Sequence, residues 1–254
     1  MRSYAQRALQ IKQLHAEFGI VPYLSAAVKL MGDPKKGCVY ETILHTTEEQ
    51  LLQLMESKNN RRVCFVMLNI RKLIQVFQGD MSSASDTYNL ILSHPIISSH
   101  IEHIQTMPYI MGALADGIIA FYCARKSNAS DEEKQKWAQT GIEKMKTFRE
   151  WEKRSDWSFG NKTLLLEAEY YSFMGKHGMA AEKYSTSIAS AKEHRFIHEE
   201  GLANYLCGQY HLSQSRRTEA QSSFLEAKNC YTRWGALALA KRMDILISDE
   251  NMKI

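Results

Sequence analysis

A chain of 254 residues with 44% apolar and 24% charged residues has an ordinary globular balance, long enough for one extended repeat domain or two compact ones. Its 32 basic and 28 acidic residues leave a net charge of +4, too mild and too evenly mixed for a nucleic-acid or membrane footprint. With only 4 prolines and 13 glycines, helix breakers are scarce, which favours long helical runs over a strand-and-turn architecture.

In chain order, the opening segment MRSYAQRALQIKQLHAEF lacks a central apolar block and does not read as a secretory signal. It begins in a helical pattern without a cap, as an excised portion of a larger protein would. Gly32-Asp33-Pro34-Lys35-Lys36-Gly37 reads as a loop, and Thr46 with Glu49 suggests a helix start before Leu51, Leu52 and Met55. Lys58-Asn59-Asn60 and Gly79-Asp80 read as turns. Between them Val63, Val66, Met67, Ile70, Ile74 and Phe77 line one helical face, with a short buried strand at Val63–Leu68 as the competing reading. Pro95 and Pro108 bracket a short helix and each begins a helix of its own. A soft boundary near residue 95 separates an irregular helical region, 1–95, from regular helix pairs over 96–254.

Beyond it, Ile110, Leu114, Ile118 and Phe121 form a further stripe. Ser130 with Glu133 forms a capping box, opening a helix that carries Ala138, Ile142, Met145, Phe148 and Trp151. The longest apolar runs are far too short to cross a bilayer. The five cysteines, Cys38, Cys64, Cys123, Cys207 and Cys230, contain no Cys-x-x-Cys pair and read as small buried hydrophobes in a reducing compartment. The expected location is cytoplasmic.

The C-terminal half repeats itself. Ala180, Tyr184, Ile188 and Ala191 are answered forty positions on by Ala220, Phe224, Ala227, Tyr231 and Trp234. Leu164, Ala168 and Tyr171 on the preceding helix are answered by Asn204, Gly208 and His211, with Gly175-Lys176 and Ser215-Arg216 at the turns. This resembles the tetratricopeptide repeat, in which a small residue on the first helix admits an aromatic from the second. Gly208, Ala220, Phe224 and Ala227 match at the family's spacing, as do Ala168, Tyr171, Ala180 and Tyr184. The repeat of about forty is longer than the family's thirty-four. Glu167 and Cys207 replace an expected leucine, and no proline closes either copy. The resemblance implies an all-α, tetratricopeptide-like α-solenoid of antiparallel helix pairs. The flanking helices Ile110–Arg125 and Asp131–Lys153 supply a preceding pair, and Ala236–Ile247 a capping helix. A non-repeating helical bundle is the alternative, since two pairs are fewer than a solenoid needs.

The segment AKEHRFIHEEGLANYLCGQYHLSQSRRTEAQSSFLEAKNCYTRWGALALAK is also similar to the helical-repeat region of very large signalling proteins. There that region follows a kinase-like and a predicted ATPase module and precedes a sensor domain and histidine kinase. Phe196-Ile197-His198-Glu199-Glu200, Leu202-Ala203-Asn204, Tyr231-Thr232-Arg233-Trp234-Gly235-Ala236 and the upstream Tyr122, Trp137 and Trp151 carry the similarity. Arg195 stands where that family has glycine, and Gly201 where it has alanine. The similarity implies a non-catalytic scaffold for protein–protein interaction or interdomain regulation in signal transduction. The alternative is a fragment of an ATP-dependent signalling kinase or ATPase whose catalytic modules lie outside this chain.

Neither a phosphate loop nor a dinucleotide fingerprint occurs; Gly175-Lys176 lacks the upstream glycine and following hydroxyl of the former. Kinase signatures are missing too. His194 and His198, four apart beside Glu199 and Glu200, would share a metal only on one continuous helix, and the repeat places a turn at Arg195–Ile197. His211 reads as a core residue. No catalytic, cofactor or metal residue is therefore assigned. By analogy with tetratricopeptide grooves, Lys162, Leu165, Glu169, Leu202, Tyr205 and Gln209 are the expected partner-binding residues. The lysine and asparagine clamp for a chaperone-tail carboxylate is not among them. The expected partner is a protein or peptide, or flanking domains of a longer chain, rather than nucleic acid or membrane.

Overall fold

The computed structural model describes residues 14–32, 47–94 and 107–248. Among these the regular structure is helical throughout, in eleven helices. No described helix is long and apolar enough to cross a membrane. The chain divides into two compact units, one up to Gly112 and the other from Ala113.

The first unit contains α1 (Leu14–Met31), α2 (Glu48–Ser57), α3 (Arg61–Phe77) and α4 (Met81–Ser93). The other three helices pack on α3. That position explains its sequence: Val63, Met67, Ile70 and Ile74 are buried, and so are Cys64, Phe65 and Leu68 on neighbouring faces. The strand reading of Val63–Leu68 is thus replaced by a helix covered nearly all round. Leu51, Met55 and Ile91 join its core. The capping box before Leu51 sits one residue later than the sequence suggested. The Thr47 hydroxyl accepts the Gln50 N–H at 3.1 Å, and the Gln50 side chain accepts the Thr47 N–H at 2.9 Å. A glutamine closes the box as well as a glutamate, so both registers were chemically open. Thr46, Cys38, Pro95 and the loop after Gly32 lie outside the described residues.

The helix α5 (Met107–Ala124) begins with Pro108 in its first turn, and the division between units falls within it. There follow α6 (Asp131–Glu152), α7 (Asp156–Phe173), α8 (His177–Glu193), α9 (Ile197–Ser213), α10 (Arg217–Trp234) and α11 (Leu237–Ser248). From α6 onward the main contacts are between helices adjacent in the chain, most of all α7 with α8 and α9 with α10. Ser130 caps α6 in a full capping box with Glu133. All four described cysteines are buried.

A single turn design recurs in both units. Left-handed residues fall at Gly175, Arg195, Ser215 and Gly235, each twenty positions after the last, and at Asn59 and Gly79, again twenty apart. After each, the next N–H reaches back five residues: Lys176 to Tyr171, Phe196 to Ala191, Arg216 to His211 and Ala236 to Tyr231, all at 2.9 Å. The Asn60 and Asp80 N–H groups bond to Met55 and Gln75 in the same way, at 2.8 and 2.9 Å. This is the Schellman closure, which satisfies helix-end carbonyls while reversing the chain. The next helix begins at once, so two helices and two turns span the forty-residue repeat read from the sequence.

Helix packing within that repeat depends on small residues. A Cβ on Gly208 would lie 2.5 Å from the Phe224 ring, and Phe224 is fully buried. One repeat earlier Ala168 and Tyr184 hold the same positions, also buried.

Candidate functional site

Lys162, Leu165 and Glu169 share one face of α7, and Leu202, Tyr205 and Gln209 share the matching face of α9 forty positions on. Gln209 is half-buried, but the other five are covered by the chain itself: Leu202 entirely, Lys162 with 5% exposed and Glu169 with 2%. Two charged side chains tolerate such burial only if paired. Both are.

Glu169 is held from two sides. Arg125, just past the end of α5, donates to its carboxylate at 2.6 Å and to its backbone carbonyl at 3.0 Å. The Tyr184 hydroxyl on α8 donates to the other carboxylate oxygen at 2.5 Å. Burial pulls the Arg125 guanidinium toward neutrality, but the Glu169 carboxylate outweighs it and raises its pKa. Burial, then the same carboxylate, push the Tyr184 hydroxyl well above its ordinary range. A carboxylate held by one donor on each oxygen, from Arg125 and from Tyr184, acts as a clamp joining α7 to α8 and to the end of α5.

Lys162 enters a second cluster. Its ammonium donates to the Glu199 carboxylate at 2.7 Å and to the Ser158 carbonyl at 2.8 Å, and it lies 4.8 Å from the centre of the Phe196 ring. Asn161 donates to the same Glu199 oxygen at 2.6 Å. Burial alone would raise the Glu199 pKa; hydrogen bonding from His198, and the charge and bonds of Lys162 and Asn161, bring it below the ordinary value. This cluster ties the start of α7 to the start of α9, as the first ties its end to α5 and α8.

Tyr205 is itself covered, with 4% exposed, but its neighbours are more open. Burial raises its pKa, opposed by the neighbouring Arg242 guanidinium on α11, with Tyr122 on α5 contributing in the same sense as burial. Tyr122 is 37% exposed, and Arg242 and Gln209 are half-buried. These three are the more exposed of the groups around Tyr205.

The histidines take separate roles. His194 closes α8 and stacks near Trp157, whereas His198 opens α9 and stacks near Trp234. The turn at 194–196 separates them. His211 is half-buried beside Tyr210, its pKa lowered by burial and by Arg216. Among the described residues no three His, Cys, Asp or Glu side chains are grouped for a metal ion. Burial pushes the Cys64 and Cys207 thiols up to about 11 and that of Cys230 to about 12.

Sequence reasoning missed Arg125 and Glu199, the partners of the two buried charges. Only the burial of Glu169 and Lys162 could have pointed to them, because partners 44 and 37 positions away carry no local spacing signal. No protein-family model, curated protein or solved structure matches this chain.

Proposed function

We propose that the chain is a non-catalytic scaffold, a tetratricopeptide-like α-solenoid of antiparallel helix pairs that binds a protein or peptide partner in cytoplasmic signal transduction. The observation that carries this reading is the turn repeated every twenty residues at Gly175, Arg195, Ser215 and Gly235. Equal turns between helices of nearly equal length stack the chain regularly, and stacked first helices line an extended binding surface. The partner would lie on the face of α5, α7, α9 and α11, meeting Tyr122, Gln209 and Arg242 around Tyr205. The two buried ion clusters keep that face in one shape, so little ordering entropy is lost on binding.

The test is peptide-library panning on the folded chain. Peptides whose binding falls about tenfold or more, a loss of about 1.4 kcal/mol, in both Tyr122→Ala and Gln209→Ala would support the assignment. Circular dichroism would have to be unchanged in both variants. Selected peptides that bind both variants as they bind the wild type would remove it.

A further inference from the structure

A cleft of about 280 Å³ opens between the start of α8 and the end of α9, lined by His177, Gly178, Ala181, Tyr210, Gln214 and Arg216. None of these residues belongs to the face described above. Its floor is rigid. Tyr210 is 3% exposed, its hydroxyl donates to the His177 carbonyl at 2.7 Å, and its ring lies 5.3 Å from that of Tyr184. The Arg216 guanidinium rests 5.4 Å from the centre of the Tyr210 ring and interacts with its hydroxyl, which restrains it at the cleft wall.

The charged side chain lining this cleft is Arg216. Arg216 and the His177 imidazole line it, and no carboxylate does. The first turn of α8 adds to them: it contains no acidic residue and receives no side-chain cap. The first N–H groups of a helix have no intrahelical acceptor, and His177 and Gly178 of this turn line the cleft. Gly178 leaves the approach open, since a Cβ there would meet nothing within 4 Å. A planar arginine fork and an imidazole lining one small volume beside an uncapped helix start suit the oxygens of a phosphate monoester. A phosphoryl group carries about −1.5 to −2 charges at pH 7, which suits this set better than a single carboxylate. The volume is at the lower end for small-molecule sites, about 300–1,000 Å³. It fits one phosphorylated side chain rather than a nucleotide.

We propose that this cleft binds the phosphoryl group of a phosphorylated side chain on a partner protein. The protein source rests on the scaffold reading above; the anion chemistry rests on the cleft alone.

The experiment is an amide NMR titration of the full chain with phenyl phosphate, and separately with benzoate. Saturable shifts at His177, Gly178 and Met179 on adding phenyl phosphate are expected, with affinity about tenfold or more lower in Arg216→Gln. Arg216→Lys should lose part of the affinity, because it keeps the charge and forfeits the fork. The groove variant Gln209→Ala should bind phenyl phosphate as the wild type does, which separates this site from the peptide face. Shifts that fail to saturate by about 10 mM, an affinity unchanged in Arg216→Gln, or shifts that arise as strongly with benzoate would overturn the proposal.

Discussion

Replacing Gly208 with leucine puts a Cβ 2.5 Å from Cε1, 2.6 Å from Cδ1 and 3.0 Å from Cζ of Phe224. Ordinary carbon–carbon contact begins near 3.5 Å, so the ring must move by about 1 Å before the rest of the leucine is placed. Phe224 is fully buried, with Tyr205 6.2 Å away between ring centres, which leaves it little room to retreat. Overpacking of this kind costs about 1–3 kcal/mol, and leucine belongs at the upper end or beyond. Gly208→Ala meets the same first clash but recovers about 1 kcal/mol of helix propensity, so its net loss should be about 0–2 kcal/mol. Gly178→Ala is the control. It is also a helical glycine, yet a Cβ there meets nothing within 4 Å, and it should gain about 0.4–1 kcal/mol. Thermal unfolding followed at 222 nm reads the series. At about 2–4 °C per kcal/mol for a chain of this size, Gly208→Leu should lower Tm by roughly 6–12 °C. Adding Phe224→Leu should recover part of the loss, giving a coupling of about 0.5–3 kcal/mol. Gly208→Leu with an unchanged Tm, or a strictly additive double mutant, would show that Phe224 does not fill this gap.

Glu169→Ala leaves Arg125 and the buried Tyr184 hydroxyl without their carboxylate, at a cost of about 3 kcal/mol, the low end for broken buried pairs because 31% of the Arg125 side chain is exposed. Glu169→Gln keeps an acceptor for Tyr184 and should lose less; equal losses in urea unfolding would argue against the clamp. Glu199 titrates below its ordinary value of 4.5 in the folded chain, so its contribution is present above about pH 4.5 and is lost as pH falls through the folded pKa. Glu199→Gln should flatten the acid limb of the stability–pH curve, and an unaltered limb would exclude Glu199 as a contributor. Ser215 has φ +59, a conformation that costs a residue with a Cβ about 1 kcal/mol, so Ser215→Gly should raise the urea midpoint; a lower midpoint would contradict the turn assignment.

The repeat and most helix limits were legible in the sequence because they arise from local chemistry. Ser130 and Glu133 cap a helix wherever they occur, and Gly175 and Gly235 stop one by tolerating a left-handed backbone. The spacing of Gly208 against Phe224 also survives translation into structure, since a missing side chain and a large ring must meet somewhere. The turn beginning at Arg195 was legible from the repeat, but the left-handed backbone of a residue with a long side chain was not: its φ is +61. The capping box at Thr47 slipped by one residue because Thr46 and Thr47 are equally able to cap.

The candidate site divides along the same line. The tetratricopeptide resemblance singled out Lys162, Leu165, Glu169, Leu202, Tyr205 and Gln209, and helical spacing puts them on matching faces forty positions apart. Whether a face is open to a partner or closed by the chain depends on groups far away in sequence. Arg125 and Tyr184 close over Glu169, and Glu199 closes over Lys162, because an unpaired charge cannot remain in so dry a place. Tertiary structure alone decided which of the six residues stay accessible, and it gathered Tyr122, Arg242 and the Arg216 cleft from segments with no common pattern.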